Sequence, residues 1–225
     1  MSLFESARFV TSVAEFGELA AAPLEMLPEV AFVGRSNSGK SSVINVLANR
    51  RQLAFSSKTP GRTQMLNFFE LTGAEGDRRV ACAYLVDLPG YGFARADARQ
   101  RASWDELAGG YLRARRCLAC VVLVMDARRP FLPADESLLA WIAGRAEPHD
   151  VRVVLLLNKA DQLGRADRAQ LVRHAEARAQ TLPFAASALP FSALKRDGID
   201  ALRELLAANL SDARRRNSPR IIARV

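Results

Sequence analysis

The chain has little of what metal centres, disulfide frameworks and membrane spans require. Its 225 residues include two histidines, His149 and His174, which are distant from every cysteine and read as surface residues near helix ends. The three cysteines, Cys82, Cys117 and Cys120, are odd in number, which favours reduced thiols in a cytosol. Cys117 and Cys120 fit a C-x-x-C spacing, but without a second pair they read as small apolar residues opening a strand. Neither zinc nor redox chemistry is expected. The first residues, Met1 to Ser6, have no basic region, so no secretory signal is visible. The longest apolar run, Cys117 to Met125, stops at Asp126. That suits a buried strand and is far short of the roughly 20 residues of a membrane span. The chain shows no internal repeat of useful length, and a cytoplasmic location is expected.

What the chain does have is apolar mass and positive charge. Hydrophobic residues make up 49% of it, enough for a substantial core, and the formal net charge is +8. An excess of that size points to a polyanionic partner. Arg95, Arg99, Arg101, Arg113, Arg115 and Arg116 form one basic stretch, interrupted by Asp97, Asp105 and Glu106. Arg214, Arg215, Arg216, Arg220 and Arg224 form another, against a single Asp212. The second stretch is short, polar and broken by Pro219, and reads as a tail that orders on binding. RNA held through its phosphates, with strong salt dependence, is the natural candidate. Neither stretch has the hydrophobic anchor that a membrane surface would need.

Four short motifs follow in order. Gly34-Arg35-Ser36-Asn37-Ser38-Gly39-Lys40-Ser41 fits G-x-x-x-x-G-K-[ST], and it lies between an apolar strand from Glu29 and a helix of Ser41 to Ala48. That is the setting of a phosphate loop. Its glycines let the backbone curl so that N–H groups converge on phosphate oxygens, helped by the helix N-terminus. Lys40 is expected to reach the β- and γ-phosphates and the Ser41 hydroxyl to ligate Mg²⁺. Asp87-Leu88-Pro89-Gly90 closes an apolar strand from Val80 to Val86. Asp87 is placed to hold Mg²⁺ through water, and the Gly90 N–H to meet the γ-phosphate. Between them, Ser56 to Gln64 reads as a loop before a strand of Met65 to Leu71. Thr59 and Thr63 both qualify as a second hydroxyl for Mg²⁺, with Thr63 preferred because it adjoins the strand.

The third motif, Asn158-Lys159-Ala160-Asp161, ends the leucine-rich strand Val151 to Leu157. Guanine offers N1–H and N2–H side by side and adenine does not, so Asp161 selects guanine through two bonds of about 1.5–3 kcal/mol each. Asn158 can brace the base and the phosphate loop, and the Lys159 stem can cover the ring face. The last motif has two candidates, Ser187-Ala188 and Ser192-Ala193. The second is preferred, because Lys195 and a helix of Gly198 to Leu206 follow it, whereas Ser187 lies nearer the end of a strand starting around Leu182.

These motifs, with Thr59 to Gln64, Asn67-Phe68-Phe69, Phe191-Ser192-Ala193 and above all Asp87 to Ala94, resemble the EngB (YihA/YsxC) family of bacterial GTP-binding proteins. The likeness runs from about Ala7 to Leu206. It implies a small monomeric GTPase that uses Mg²⁺, acts in assembly of the large ribosomal subunit and is linked to cell division and septation. It implies Mg²⁺ on Ser41 and Thr63, with Lys40, Thr63 and Gly90 serving hydrolysis. Nucleotide contacts are implied along Gly34 to Ser41, at Gly61, Arg62, Thr63, Gln64 and Met65, and at Asp87, Leu88, Pro89 and Gly90. Asn158, Lys159, Ala160 and Asp161 complete them with Phe191, Ser192 and Ala193. Tyr91 stands where many GTPases carry a water-orienting glutamine, so intrinsic hydrolysis is expected to be slow. Asn37 raises the hypothesis that K⁺ stimulates turnover. The rival reading is a nucleotide-stabilised RNA-binding module with negligible turnover.

Alternating strands and helices argue an α/β three-layer sandwich with the nucleotide at the C-terminal strand ends. The class implied is a Ras-like G domain, a mostly parallel six-stranded sheet with one antiparallel edge pair. The expected division is an N-terminal extension of residues 1–28 packing on the domain, a G domain of 29–210 and a basic tail of 211–225. Phe4, Phe9, Val10, Val13 and Phe16 are candidates for that packing.

Overall fold

The computed structural model describes residues 2–54, 65–92, 98–145 and 150–217. Its strands are β1 (Arg8–Val13), β2 (Glu29–Gly34), β3 (Leu66–Glu75), β4 (Arg78–Asp87), β5 (Leu118–Asp126), β6 (Arg152–Asn158) and β7 (Ala186–Pro190). The helices are α1 (Lys40–Leu47), α2 (Ala98–Trp104), α3 (Gly110–Ala114), α4 (Pro133–Ala143), α5 (Arg165–Gln180) and α6 (Ile199–Asn217), with a π-helical turn over Asp105–Gly109 between α2 and α3.

The strands form one sheet in the order β1-β3-β4-β2-β5-β6-β7. β4, β2, β5, β6 and β7 run parallel, while β3 is antiparallel to both β4 and β1. The sheet is therefore seven-stranded rather than six-stranded, with two antiparallel ladders rather than one. The additional strand comes from the N-terminal extension, whose Arg8 to Val13 pair with Glu70 to Leu66. Phe4 and Val13 are buried, and Val10 and Phe16 pack partly against the core. Phe9 is 58% exposed, so this expected packing residue mostly faces solvent.

Side-chain alternation along the strands feeds two apolar layers. Ala31, Val33, Val121, Leu123, Val153 and Leu155 face the α2–α5 side, and Val30, Phe32, Val122, Val124, Val154 and Leu156 face α1 and α6. A central parallel strand buried on both faces reads as the near-continuous apolar run seen in β5 and β6. β7 starts at Ala186, not near Leu182, because Thr181 and Leu182 still turn off the end of α5 and Pro183 follows. Helix α6 carries Arg214, Arg215 and Arg216, so part of the expected tail is helical. Among the described residues no helix is long and apolar enough to cross a membrane.

Candidate functional site

The phosphate loop is built from the end of β2. Asn37 (φ 66°) and Gly39 (φ 92°) both adopt the left-handed conformation, which curls the chain between strand and helix. A Cβ at Gly34 would lie 2.6 Å from both Ser38 Oγ and the Val124 carbonyl, so only glycine fits there. Gly39 is doubly constrained, since a Cβ would collide with Asn158 Nδ2. Among the described residues the N–H groups of Asn37, Gly39, Lys40 and Ser41 have no acceptor. The Ser38 hydroxyl is buried with no partner either. Unspent donors converging on a curled loop at a helix N-terminus make an anion cradle. Buried polar atoms left unpaired in a native fold call for an explanation, and a phosphate supplies one.

Lys40 Nζ is in contact with Asp87 Oδ1, both side chains nearly buried. The two groups expected to hold phosphate and metal-bound water thus sit together, Lys40 at the start of α1 and Asp87 at the C-terminal end of β4. The Ser41 side chain is half-buried beside them in the first turn of α1. These donors suit Mg²⁺, a hard cation that takes oxygen ligands and keeps waters. Among the described residues there is no cluster of three histidine, cysteine or acidic residues for a metal. Gly61, Arg62, Thr63 and Gln64, with Thr59, lie outside the described residues, and Met65 is the exposed residue before β3.

Asn158 joins the phosphate loop to the base-reading side. It is 2% exposed; its Nδ2 donates to the Ser38 carbonyl at 2.8 Å and its Oδ1 accepts from the Ala193 N–H at 3.2 Å. Lys159, in left-handed conformation, extends back over the loop and donates to the Asn37 carbonyl at 2.7 Å and to Asp126 at 2.9 Å. Hydrogen bonds from Arg128 first, then from Lys159, hold the Asp126 carboxyl well below the ordinary carboxylate range against the opposing effect of burial. Asp161 is half-buried, and among the described residues its carboxylate has no hydrogen-bond or ion-pair partner. Ala160 N–H donates to the Phe191 carbonyl at 3.0 Å, which brings the third and fourth motifs side by side. Ser192 is buried at the turn beyond β7, whereas Ser187 is paired with Val154 inside the ladder. The turn, not the strand, faces Asn158.

The residues after Asp87 lie against the loop. Tyr91 N–H donates to the Gly34 carbonyl at 3.3 Å, and Ser36 N–H donates to the Tyr91 carbonyl at 3.1 Å. Leu88 is buried, and the Pro89 carbonyl accepts from Trp104 Nε1 at 2.8 Å. The Tyr91 ring points into the core, where its hydroxyl donates to Asp135. Burial first, and then Asp135, push the phenol far above its usual range, so it stays neutral. Arg35, expected along the nucleotide, turns its side chain away to Asp135 and the Arg129 carbonyl, leaving only its backbone in the loop. Sequence reasoning missed Asp126 and Asp135. Asp126 was visible as the polar stop to the apolar run, but Asp135 sits in an ordinary amphipathic helix and gave no signal.

The basic stretches are divided by the structure. Arg115 makes an ion pair with fully buried Glu29 at 2.5 Å, so it is structural. Arg113 lies over the Trp141 ring at 5.5 Å. Arg99, Arg101, Arg116, Arg214, Arg215 and Arg216 are exposed. Arg95 and Asp97, with Arg220 and Arg224, lie outside the described residues.

A family model described as 50S ribosome-binding GTPase matches residues 29–159. The chain is 42% identical to the probable GTP-binding protein EngB of Janthinobacterium sp. (strain Marseille), over 97% of this chain and 98% of that one. It is 48% identical to the probable GTP-binding protein EngB of Thiobacillus denitrificans, over 74% and 73% of the two chains. Among solved structures, a probable GTP-binding protein engB is similar with a TM-score of 0.58 at 20% identity, covering 82% of this chain and 99% of that one. Era in complex with MgGDPNP and a piece of 16S ribosomal RNA shares the fold with a TM-score of 0.55 at 24% identity, covering 82% and 56%.

Proposed function

The chain belongs to the EngB family of GTP-binding proteins and is a P-loop GTPase, and from that premise we propose that it is a switch acting in assembly of the large ribosomal subunit. The ribosomal part of this reading rests on the likeness to a family described as 50S ribosome-binding GTPase; the nucleotide-binding part rests on Asn158, whose one side chain bonds the Ser38 carbonyl of the phosphate loop and the Ala193 N–H of the last motif. Base and phosphates are thereby read by one connected pocket. Gly34 to Ser41 would cradle the phosphates, and Asp161 would receive guanine N1–H and N2–H, with the Ala193 turn at O6. Lys159, strapped to Asp126, would cover the ring. Lys40 would exchange its contact with Asp87 for the β- and γ-phosphates.

Ser41, Thr63 and, through water, Asp87 would hold Mg²⁺, which neutralises charge on the phosphoryl oxygens. GTP would order the segments around Thr63 and Gly90, and hydrolysis would release them. Intrinsic turnover is slow in this account, because the Tyr91 hydroxyl is committed to Asp135 and is no substitute for a water-orienting amide. Asn37, exposed at the loop's left-handed turn, is the residue on which K⁺ stimulation is proposed. The exposed arginines of α2 and α6 would meet ribosomal RNA, with residues 211–225 as a basic arm on a G domain of 29–210 and an extension of 1–28. The protein is proposed to act as a monomer in the cytoplasm and to be needed for normal cell division and septation.

Turnover of the full chain in K⁺ and in Na⁺, with and without large ribosomal subunits, tests the proposal. Stimulation by the subunits supports it, and a K⁺ requirement brings Asn37 into the mechanism. Turnover unchanged by subunits at low and moderate salt would sink the ribosome-triggered switch.

A further inference from the structure

Asp135 lies in the first turn of α4 and is fully buried. A carboxylate in that position needs partners. Among the described residues it has three, from three parts of the molecule. Arg35 of the phosphate loop donates Nε to Oδ1 at 3.2 Å, the Tyr91 hydroxyl donates to the same oxygen at 2.7 Å, and the Leu132 N–H donates to Oδ2 at 2.9 Å. The last bond is ordinary capping of a helix start. Capping requires neither a loop arginine nor a switch phenol.

The consequence of those two bonds falls on Gly90. Its neighbours on both sides are fixed: Pro89 through Trp104 Nε1 at 2.8 Å, and Tyr91 through Gly34 at 3.3 Å and Ser36 at 3.1 Å. The Tyr91 ring is 7% exposed and packs edge-on against Trp104 at 5.7 Å, which stacks on Trp141 at 5.3 Å. Among the described residues the Gly90 N–H itself has no acceptor. A donor left unspent between anchored neighbours is preorganised for an anion that arrives later.

We propose that Asp135 is a positioning residue for γ-phosphate sensing: by holding Tyr91 in the core and Arg35 on the phosphate loop, it sets the Gly90 N–H relative to that loop. The proposal rests on the reading of Gly90 as the γ-phosphate donor. Asp135 acts through Tyr91 and touches no reacting atom.

The test uses the full chain, GDP, a non-hydrolysable GTP analogue and GTP. Trp104 and Trp141 are the two tryptophans of the sequence, so intrinsic fluorescence reports on the packing around Tyr91. Tyr91→Phe removes the hydroxyl and leaves the ring and the other two partners of Asp135. It is expected to hold GDP affinity within about two-fold of the wild type while lowering saturated GTP turnover roughly ten-fold, as for loss of one bond to a charged group. The preference for the analogue over GDP should fall by a similar factor. The fluorescence difference between the GDP and analogue complexes should also shrink. Asp135→Asn, which also loosens Arg35, is expected to lose at least as much, and if it does not fold Tyr91→Phe decides alone. Unchanged turnover and unchanged analogue preference in Tyr91→Phe, even with a lower melting temperature, overturn the proposal and leave a purely structural bond. A wild-type protein that binds analogue and GDP equally, with identical fluorescence, instead refutes the reading of Gly90 beneath it.

Discussion

Replacing Asn158 by alanine removes a side chain that joins the phosphate loop to the turn at Ala193. Two bonds are lost, to the Ser38 carbonyl at 2.8 Å and from the Ala193 N–H at 3.2 Å. Ser38 is buried and Ala193 half-buried, so neither orphaned group regains full hydration. Each costs about 1–3 kcal/mol when left unpaired, the longer bond belonging at the lower end. The sum is about 2–4 kcal/mol. Nucleotide binding needs the loop and the turn held together, so most of it should appear as a GDP affinity weakened roughly 30- to 1,000-fold. Calorimetric titration with GDP measures this directly, with thermal unfolding of the free protein as the companion assay. Asn158→Asp sharpens the test. It keeps an acceptor for Ala193 but places a carboxylate oxygen against the Ser38 carbonyl, so it should bind GDP no better than the alanine variant. GDP affinity within two-fold of wild type in Asn158→Ala would refute the reasoning.

Three further outcomes are expected. Gly39→Ala should abolish nucleotide binding, because the left-handed backbone and the collision with Asn158 both oppose a Cβ; ordinary GDP titration by this variant would contradict the loop geometry. Asp161→Asn should cost about 2 kcal/mol or more in guanine affinity and gain xanthine nucleotides, whose base offers one donor and one acceptor where guanine offers two donors; competition binding with GDP and XDP reads both. The Cys120 thiol, pushed up to about 12 by burial, should resist aromatic-disulfide labelling of the native protein at pH 8. Since its native value is raised, its contribution to stability is present below the unfolded thiol value, about 8.5, and is lost as pH rises from there towards 12. Denaturant midpoints across that interval, compared with Cys120→Ala, check the sign.

The candidate site was legible mainly through the order of its motifs, because each motif is a local device whose position is set by its strand. Gly34, Asp87 and Asn158 end β2, β4 and β6, which the sheet order places near one another. The choice of Ser192 over Ser187 rested on the helix that follows, and the Asn158 contact to Ala193 is the geometric reason for it. Less was legible where tertiary contact overrides local pattern. β1 carries no alternation strong enough to predict, and it exists because β3 offers an edge to pair with. Arg115 read as surface charge until Glu29, in the first position of a buried strand, claimed it. Arg35 and Tyr91 read as loop residues, because the carboxylate that holds them lies in helix α4, 100 residues from Arg35 and 44 residues from Tyr91.

The proposed switch would report the γ-phosphate to a ribosomal partner. Its most direct measurement is the affinity of the full chain for large ribosomal subunits with a non-hydrolysable GTP analogue and with GDP, at one fixed salt concentration. At least a ten-fold tighter complex with the analogue is predicted, equivalent to about 1.4 kcal/mol of coupling. Equal affinity in the two nucleotide states would contradict it, because a ligand that binds both conformations equally shifts neither.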